Sequence, residues 1–147
     1  MTRDQAPPPY SAEAIERGDL PRGLDAASPP ASAVIAFMHN YFRSWNAKDA
    51  KALATDIYRF DPGRPLQTQA DIQSLLDKTV ADGWDYSTLD AIDIYPWGDD
   101  GYLARGLYSR FTADGGPMPP LNRLTAYVIK QFPDGFRITD LPMVYAR

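Results

Sequence analysis

The stretch Tyr41-Phe42-Arg43-Ser44-Trp45-Asn46-Ala47-Lys48-Asp49-Ala50-Lys51-Ala52-Leu53 decides how the chain reads. Its first half closes an apolar helix in which Val34, Met38, Tyr41 and Trp45 recur at helical spacing and share one face. Ile35, Phe37 and Phe42 widen that face beyond a simple stripe. A helix this apolar must be enclosed on most sides, as one lining a cavity or wrapped by a sheet is. Ser32 is the expected N-cap, with the helix running from Ala33 to Asn46. Asn46-Ala47-Lys48 breaks the pattern, and Asp49 caps a second expected helix from Ala50 to about Tyr58, with Leu53 and Ile57 inward.

Downstream, Asp61-Pro62-Gly63 and Pro65 mark a turn-rich loop. Thr68 with Asp71 reads as a capping box for a third helix, Gln69 to Ala81, in which Ile72, Leu75, Leu76 and Val80 keep helical spacing. After Asp82-Gly83 the pattern changes to strands: Trp84 to Tyr95, Tyr102 to Phe111, Leu121 to Phe132, and Phe136 to Val144. Asp114-Gly115-Gly116-Pro117 turns the chain between the second and third, and Pro133-Asp134-Gly135 is a hairpin signal before the fourth. Three helices followed by about four antiparallel strands is an α+β layout with helices packed on one face of a sheet.

Upstream the composition shifts. Six of the 14 prolines (Pro7, Pro8, Pro9, Pro21, Pro29 and Pro30) fall in the first 30 residues. Such a segment loses backbone donors and buries little apolar area, so residues 1–31 read as a proline-rich arm and 32–147 as one domain. Within the arm, Ser11 to Arg17 has the pattern of a short helix stopped by Gly18.

The totals narrow the chemistry. With 147 residues the chain suits one domain, and its formal charge is −4. It has no cysteine, which excludes disulfides, thiolate metal sites and cysteine nucleophiles. The single histidine, His39, excludes multi-histidine metal sites. The acidic balance gives no reason to expect nucleic acid or an anionic membrane as partner. No run approaches the ~18 apolar residues of a membrane helix, and the first residues have no apolar core of a secretory signal. The cytoplasm is the expected location, and no cofactor or metal is expected.

The Tyr41–Leu53 segment, followed by strands closing in Asp134-Gly135-Phe136-Arg137-Ile138, resembles the NTF2-like superfamily over residues 33–147. That group includes ketosteroid isomerases, SnoaL-like polyketide cyclases, scytalone dehydratases and limonene epoxide hydrolases. The resemblance implies a cone: a strongly curved, mainly antiparallel sheet wrapped around the first helix, with a pocket at the wide end. In ketosteroid isomerases a tyrosine eight residues before the helix-opening aspartate donates to the substrate oxyanion, and Tyr41 matches that position. The isomerase base is an aspartate followed by proline, which Asp61-Pro62-Gly63 resembles with a shorter spacer. The second oxyanion donor, an aspartate, falls here on Val128, which argues against steroid isomerisation in its familiar form. The family hosts many chemistries and many plain binding roles.

Asp61 as base and Tyr41 as donor are therefore the candidate catalytic pair. An apolar pocket would raise the carboxylate toward neutral pH, and a preorganised hydroxyl would stabilise a developing enolate. The plainer readings are an Asx-turn for Asp61 and a packed ring for Tyr41. Met38, Trp45, Phe60, Trp84 and Tyr86 are candidate walls for a flat apolar ligand, or ordinary core. On the strands, Leu107 and Tyr127 are further candidate ligand contacts, and Arg105 or Arg123 would be a carboxylate anchor if it points inward. Otherwise the arginines sit on the outer sheet face, and His39 on the surface.

Three functions stay open: a cofactor-independent isomerase, lyase or cyclase acting on a small apolar carbonyl compound by proton abstraction; a non-catalytic module that binds a small apolar or aromatic ligand; and a dimeric interaction domain. A homodimer through the outer sheet face, with Tyr102, Tyr108, Leu124 and Val128 as its apolar material, is the expected assembly.

Overall fold

Helix α1 (Pro29–Asn46) opens at Pro29 and not after Ser32. Two prolines in its first turn explain the difference. The first turn of a helix has no use for its backbone N–H groups, and the proline ring presets a helical φ, so the pair starts a helix that it would break farther in. Ala31 is fully buried, so the expected boundary between residues 31 and 32 falls inside this helix. Just before it, the Leu24 N–H donates to the Ile94 carbonyl at 2.7 Å, which ties residues 23 and 24 to the sheet. A Cβ on Gly23 would stand 2.9 Å from that same carbonyl oxygen, so the close approach needs glycine. This computed structural model describes residues 23–60 and 68–141; the rest of the arm, Asp61, and the end of the expected last strand lie outside them.

Asp49 caps α2 (Ala50–Ala52) as expected, its carboxylate accepting from the Ala52 N–H at 3.0 Å. The next residues leave the α-helical pattern. Leu53–Ile57 form a π-helical turn, closed by the Tyr58 N–H donating to the Leu53 carbonyl at 2.9 Å. Helix α3 (Gln69–Ala81) has the predicted capping box between Thr68 and Asp71. Its buried face is Ile72, Leu76 and Thr79, whereas Leu75 and Val80 are exposed.

Four strands follow, β1 (Tyr86–Trp97), β2 (Gly101–Phe111), β3 (Pro117–Phe132) and β4 (Gly135–Asp140), paired antiparallel in chain order. β1 is an edge strand, which is where Pro96 can sit without costing a ladder bond. Alternation then sorts the side chains. Ile94, Ala104, Tyr127, Ile129 and Ile138 join the core formed by Val34, Met38 and Phe42 of α1. Tyr95, Leu103, Ala126 and Val128 form a second cluster on the opposite face, and all four are buried within the single chain. Each fully buried aliphatic side chain adds about 1.5–3 kcal/mol.

This sorting corrects which residues stand on the outer sheet face. Tyr102 and Tyr108 pack against the core with α1, on the face opposite Leu124 and Val128. The β2–β3 register agrees, since Tyr108 stands opposite Arg123 and Leu107 opposite Leu124.

The end of α1 is clamped to the start of β1. The Asn46 side-chain amide donates to the Ser87 carbonyl at 2.9 Å and accepts from the Ser87 N–H at 2.8 Å. Lys48, in a left-handed conformation between the helices, reaches the Asp85 carbonyl at 2.7 Å and lies over the Trp84 ring. At the far end, the β3–β4 turn is held by Asp134, whose carboxylate accepts from Arg59 at 2.8 Å and Arg137 at 3.1 Å. The Arg59 guanidinium holds the Asp134 carboxyl below its ordinary range.

Candidate functional site

Between α1, α3 and the helix-facing side of the sheet lies a cavity of about 190 Å³. Tyr41, Phe42 and Trp45 reach it from α1 because they occupy adjoining positions on the helix face nearest the sheet. Tyr108 and Arg110 come from one face of β2, Tyr127 from β3, and Trp84 and Ser87 from the segment clamped by Asn46. Leu75 and Thr79 of α3, and Leu141, complete the wall. Aromatic edges meet aromatic faces around it: Tyr41 against Phe42 with centroids 5.0 Å apart, and Trp45 against Trp84 at 6.3 Å.

Tyr58 arrives by a different route. The π-helical turn ends at Ile57, and Tyr58 is extended and bridged to Ile138 of β4, with the Arg59 N–H donating to the Ile138 carbonyl at 2.9 Å. Its ring stacks on Phe60 at 5.2 Å, and the residue forms part of the cavity wall.

Three phenols thereby stand side by side. Tyr127 donates to the Tyr41 hydroxyl at 3.4 Å, the Tyr41 and Tyr58 rings meet edge to face with centroids 6.1 Å apart, and the Trp45 indole N–H donates to Tyr58 at 3.1 Å. A phenol has a single hydrogen and an indole N–H can only donate. Tyr127 therefore spends its own on Tyr41, and Tyr58, accepting from Trp45, keeps its O–H for whatever enters the cavity. Burial pushes the Tyr41 hydroxyl well above the ordinary tyrosine value, and the neighbouring Tyr58 phenol adds to it. Burial likewise raises Tyr58, with its neighbours Tyr41 and Trp45 pulling it partway back. Tyr127 is raised by burial and then by Tyr41. At neutral pH all three are proton donors and not bases.

Arg110 is the only cation among the described residues of this lining. It stands opposite Ser87 on β1 and Met118 on β3, half-buried, with no hydrogen-bond or ion-pair partner among the described residues. The nearby carboxylates are engaged elsewhere: Asp85 with Lys48, Asp90 with Thr88 and Ser109, Asp93 with Arg105, and Asp114 with Thr112 and the Gly116 N–H.

Of the residues singled out from sequence, Tyr41, Trp45, Trp84 and Tyr127 line the cavity. Met38 is fully buried in the core, Phe60 backs Tyr58, and Tyr86 stacks on Phe111. Arg105 and Leu107 face the other side of the sheet, Arg105 paired with Asp93. Arg123 lies on the helix-facing side but donates to the carbonyls of Met118 and Pro119, outside the lining. Asp61 lies outside the described residues, and His39 is exposed on α1. Sequence reasoning passed over Tyr58 and Arg110. Strand alternation groups Arg110 with Tyr108, a usable signal, whereas Tyr58 falls at the end of the expected second helix. No group of described residues is suited to hold a metal ion, and no described helix is long and apolar enough to cross a membrane.

No protein-family model and no curated protein matches the sequence. Solved structures do match. A protein described as a calcium/calmodulin dependent protein kinase II association domain from Xanthomonas campestris aligns with TM-score 0.59 at 12% identity, covering 82% of this chain and 91% of that one. Aln2 from a Streptomyces species aligns with TM-score 0.57 at 15% identity, over 82% of this chain and 98% of that one. A nuclear transport factor 2 (NTF2-like) superfamily protein from Salmonella enterica aligns with TM-score 0.50 at 16% identity, over 74% and 84% of the two chains. At these identities the likeness speaks of architecture alone: the chain has the NTF2-like fold.

Proposed function

We propose that this chain binds a small, flat, mostly apolar carbonyl compound in its aromatic cavity and moves a proton on it as a cofactor-independent isomerase, lyase or cyclase. The observation that carries this reading is the unspent O–H of Tyr58 in an apolar wall, backed by Tyr41 and Tyr127. A carbonyl oxygen accepting from Tyr58 gains negative charge as its α-proton leaves. A fixed donor in a dry site stabilises that charge without reorganising. Tyr41, the donor expected from sequence, stands beside Tyr58 with its ring edge to face.

The proton goes to Asp61, the base expected from sequence, which follows Tyr58 by three residues. The competing reading is a binding module without chemistry, favoured by one fact: no carboxylate or imidazole stands among the described residues of the lining.

Deuterium uptake at the α-carbon of a panel of small cyclic and aryl ketones separates the two. The wild type is expected to exchange, Asp61→Asn to lose exchange, and Tyr58→Phe to slow it by about 10²–10³-fold while still binding. Binding by the wild type with no exchange would establish the binding module, and no binding of any ketone would sink both.

A further inference from the structure

The cavity is aromatic on nearly every side, yet among its described residues a lone guanidinium lines it. A half-buried arginine costs free energy unless something meets its charge. In this fold the neighbouring carboxylates are already committed: Asp85 to Lys48, Asp90 to Ser109 and Thr88, and Asp93 to Arg105. The contrast with Arg105 is informative, since the same strand supplies that arginine with an acid directly across the β1–β2 ladder and gives Arg110 only Ser87 there. Nor is the position loose. Ser87 is held at both its N–H and its carbonyl by Asn46, and its hydroxyl accepts from the Trp84 indole at 2.9 Å.

We infer that the compound taken into the cavity carries a carboxylate that pairs with Arg110, so that the ligand class is a small planar oxo acid and not a neutral ketone. The inference rests on the reading of the cavity as a carbonyl site and adds its second recognition element. Tyr58 then receives the carbonyl oxygen and Arg110 the acid, while Trp45, Trp84, Phe42 and Tyr108 hold the plane between them. One cation among the described residues of the lining matches one negative charge, which suits a carboxylate better than a phosphate dianion. Size agrees with a single ring: an engineered apolar cavity of about 150 Å³ admits benzene, and this one is about 190 Å³.

The test uses the whole chain with two probes of matched shape, 4-acetylbenzoate and acetophenone, followed through the fluorescence of the cavity tryptophans and by calorimetry. The wild type is expected to bind 4-acetylbenzoate about tenfold or more tightly than acetophenone. Arg110→Gln is expected to erase that preference, and Arg110→Lys to keep part of it. If the glutamine variant does not fold, added salt takes its place, weakening 4-acetylbenzoate selectively in the wild type. Equal binding of both probes, insensitive to Arg110 and to salt, would overturn the oxo-acid inference and leave the carbonyl site standing. Failure of the wild type to bind either probe would overturn the carbonyl site itself, and this inference with it.

Discussion

Arg105 and Arg110 come from the same strand and meet opposite fates. Arg105 faces the outer side of β2, where Asp93 across the ladder neutralises it and Leu103, Ala126 and Val128 close the surface beside it. Arg110 faces the helices, among large rings that do not fill the space between them. Small aliphatic side chains on a sheet interlock and leave little room, whereas rings propped edge to face on a helix keep a gap. One side of the sheet is thus closed over, and the other holds both the main core and a cavity.

Substitutions can break that contrast. The largest effect is expected on the filled side: Leu103→Ala removes a fully buried side chain and should cost about 2–5 kcal/mol in urea unfolding, with ligand affinity little changed. Tyr58→Phe, on the hollow side, strips a hydroxyl that accepts from the Trp45 indole N–H. That buried donor loses its acceptor, for a cost of about 1–3 kcal/mol in the same measurement, and proton exchange falls far more steeply than stability.

The phenols also set a pH signature. Their folded-state pKa values lie above the unfolded value near 10, so the unfolded chain releases these protons first. Stability is fully kept below about pH 10 and falls as pH rises beyond it. Tyr41→Phe should flatten that fall in denaturant titrations across alkaline pH. Smallest is the arginine pair itself. Arg105→Gln should cost up to about 1 kcal/mol, because its ion pair is partly exposed. Arg110→Gln should cost nothing or stabilise slightly, and an equal loss at both positions would show the contrast to be false.

Local chemistry made most of the architecture readable. Asp49 and the Thr68–Asp71 pair announce their helices because a capping side chain meets backbone N–H groups a few residues away. Alternation along β2 separates Arg105 from Arg110 for the same reason of short range. What escaped depends on distant partners. Whether Pro29-Pro30 starts a helix or belongs to an arm turns on the packing of Ala31, and whether Leu75 is buried turns on where α3 meets the sheet. Arg105 and Arg123 looked equally able to anchor a ligand until the register supplied Asp93 to one and the Met118 and Pro119 carbonyls to the other. Tyr58 was hidden by a wide turn that no residue type announces.

That turn has a consequence for how this chain can change. A π-helical turn holds one residue more than an α-turn between the same carbonyl and the next free N–H, so Leu53–Ile57 amounts to a single-residue insertion. Removing Ala54 would let the Tyr58 N–H meet the Leu53 carbonyl as an ordinary four-residue α-turn, so the segment would close in α-geometry with Tyr58 and the residues after it kept near their places. A change of one residue in length is thus absorbed at this turn without moving the helices or the sheet.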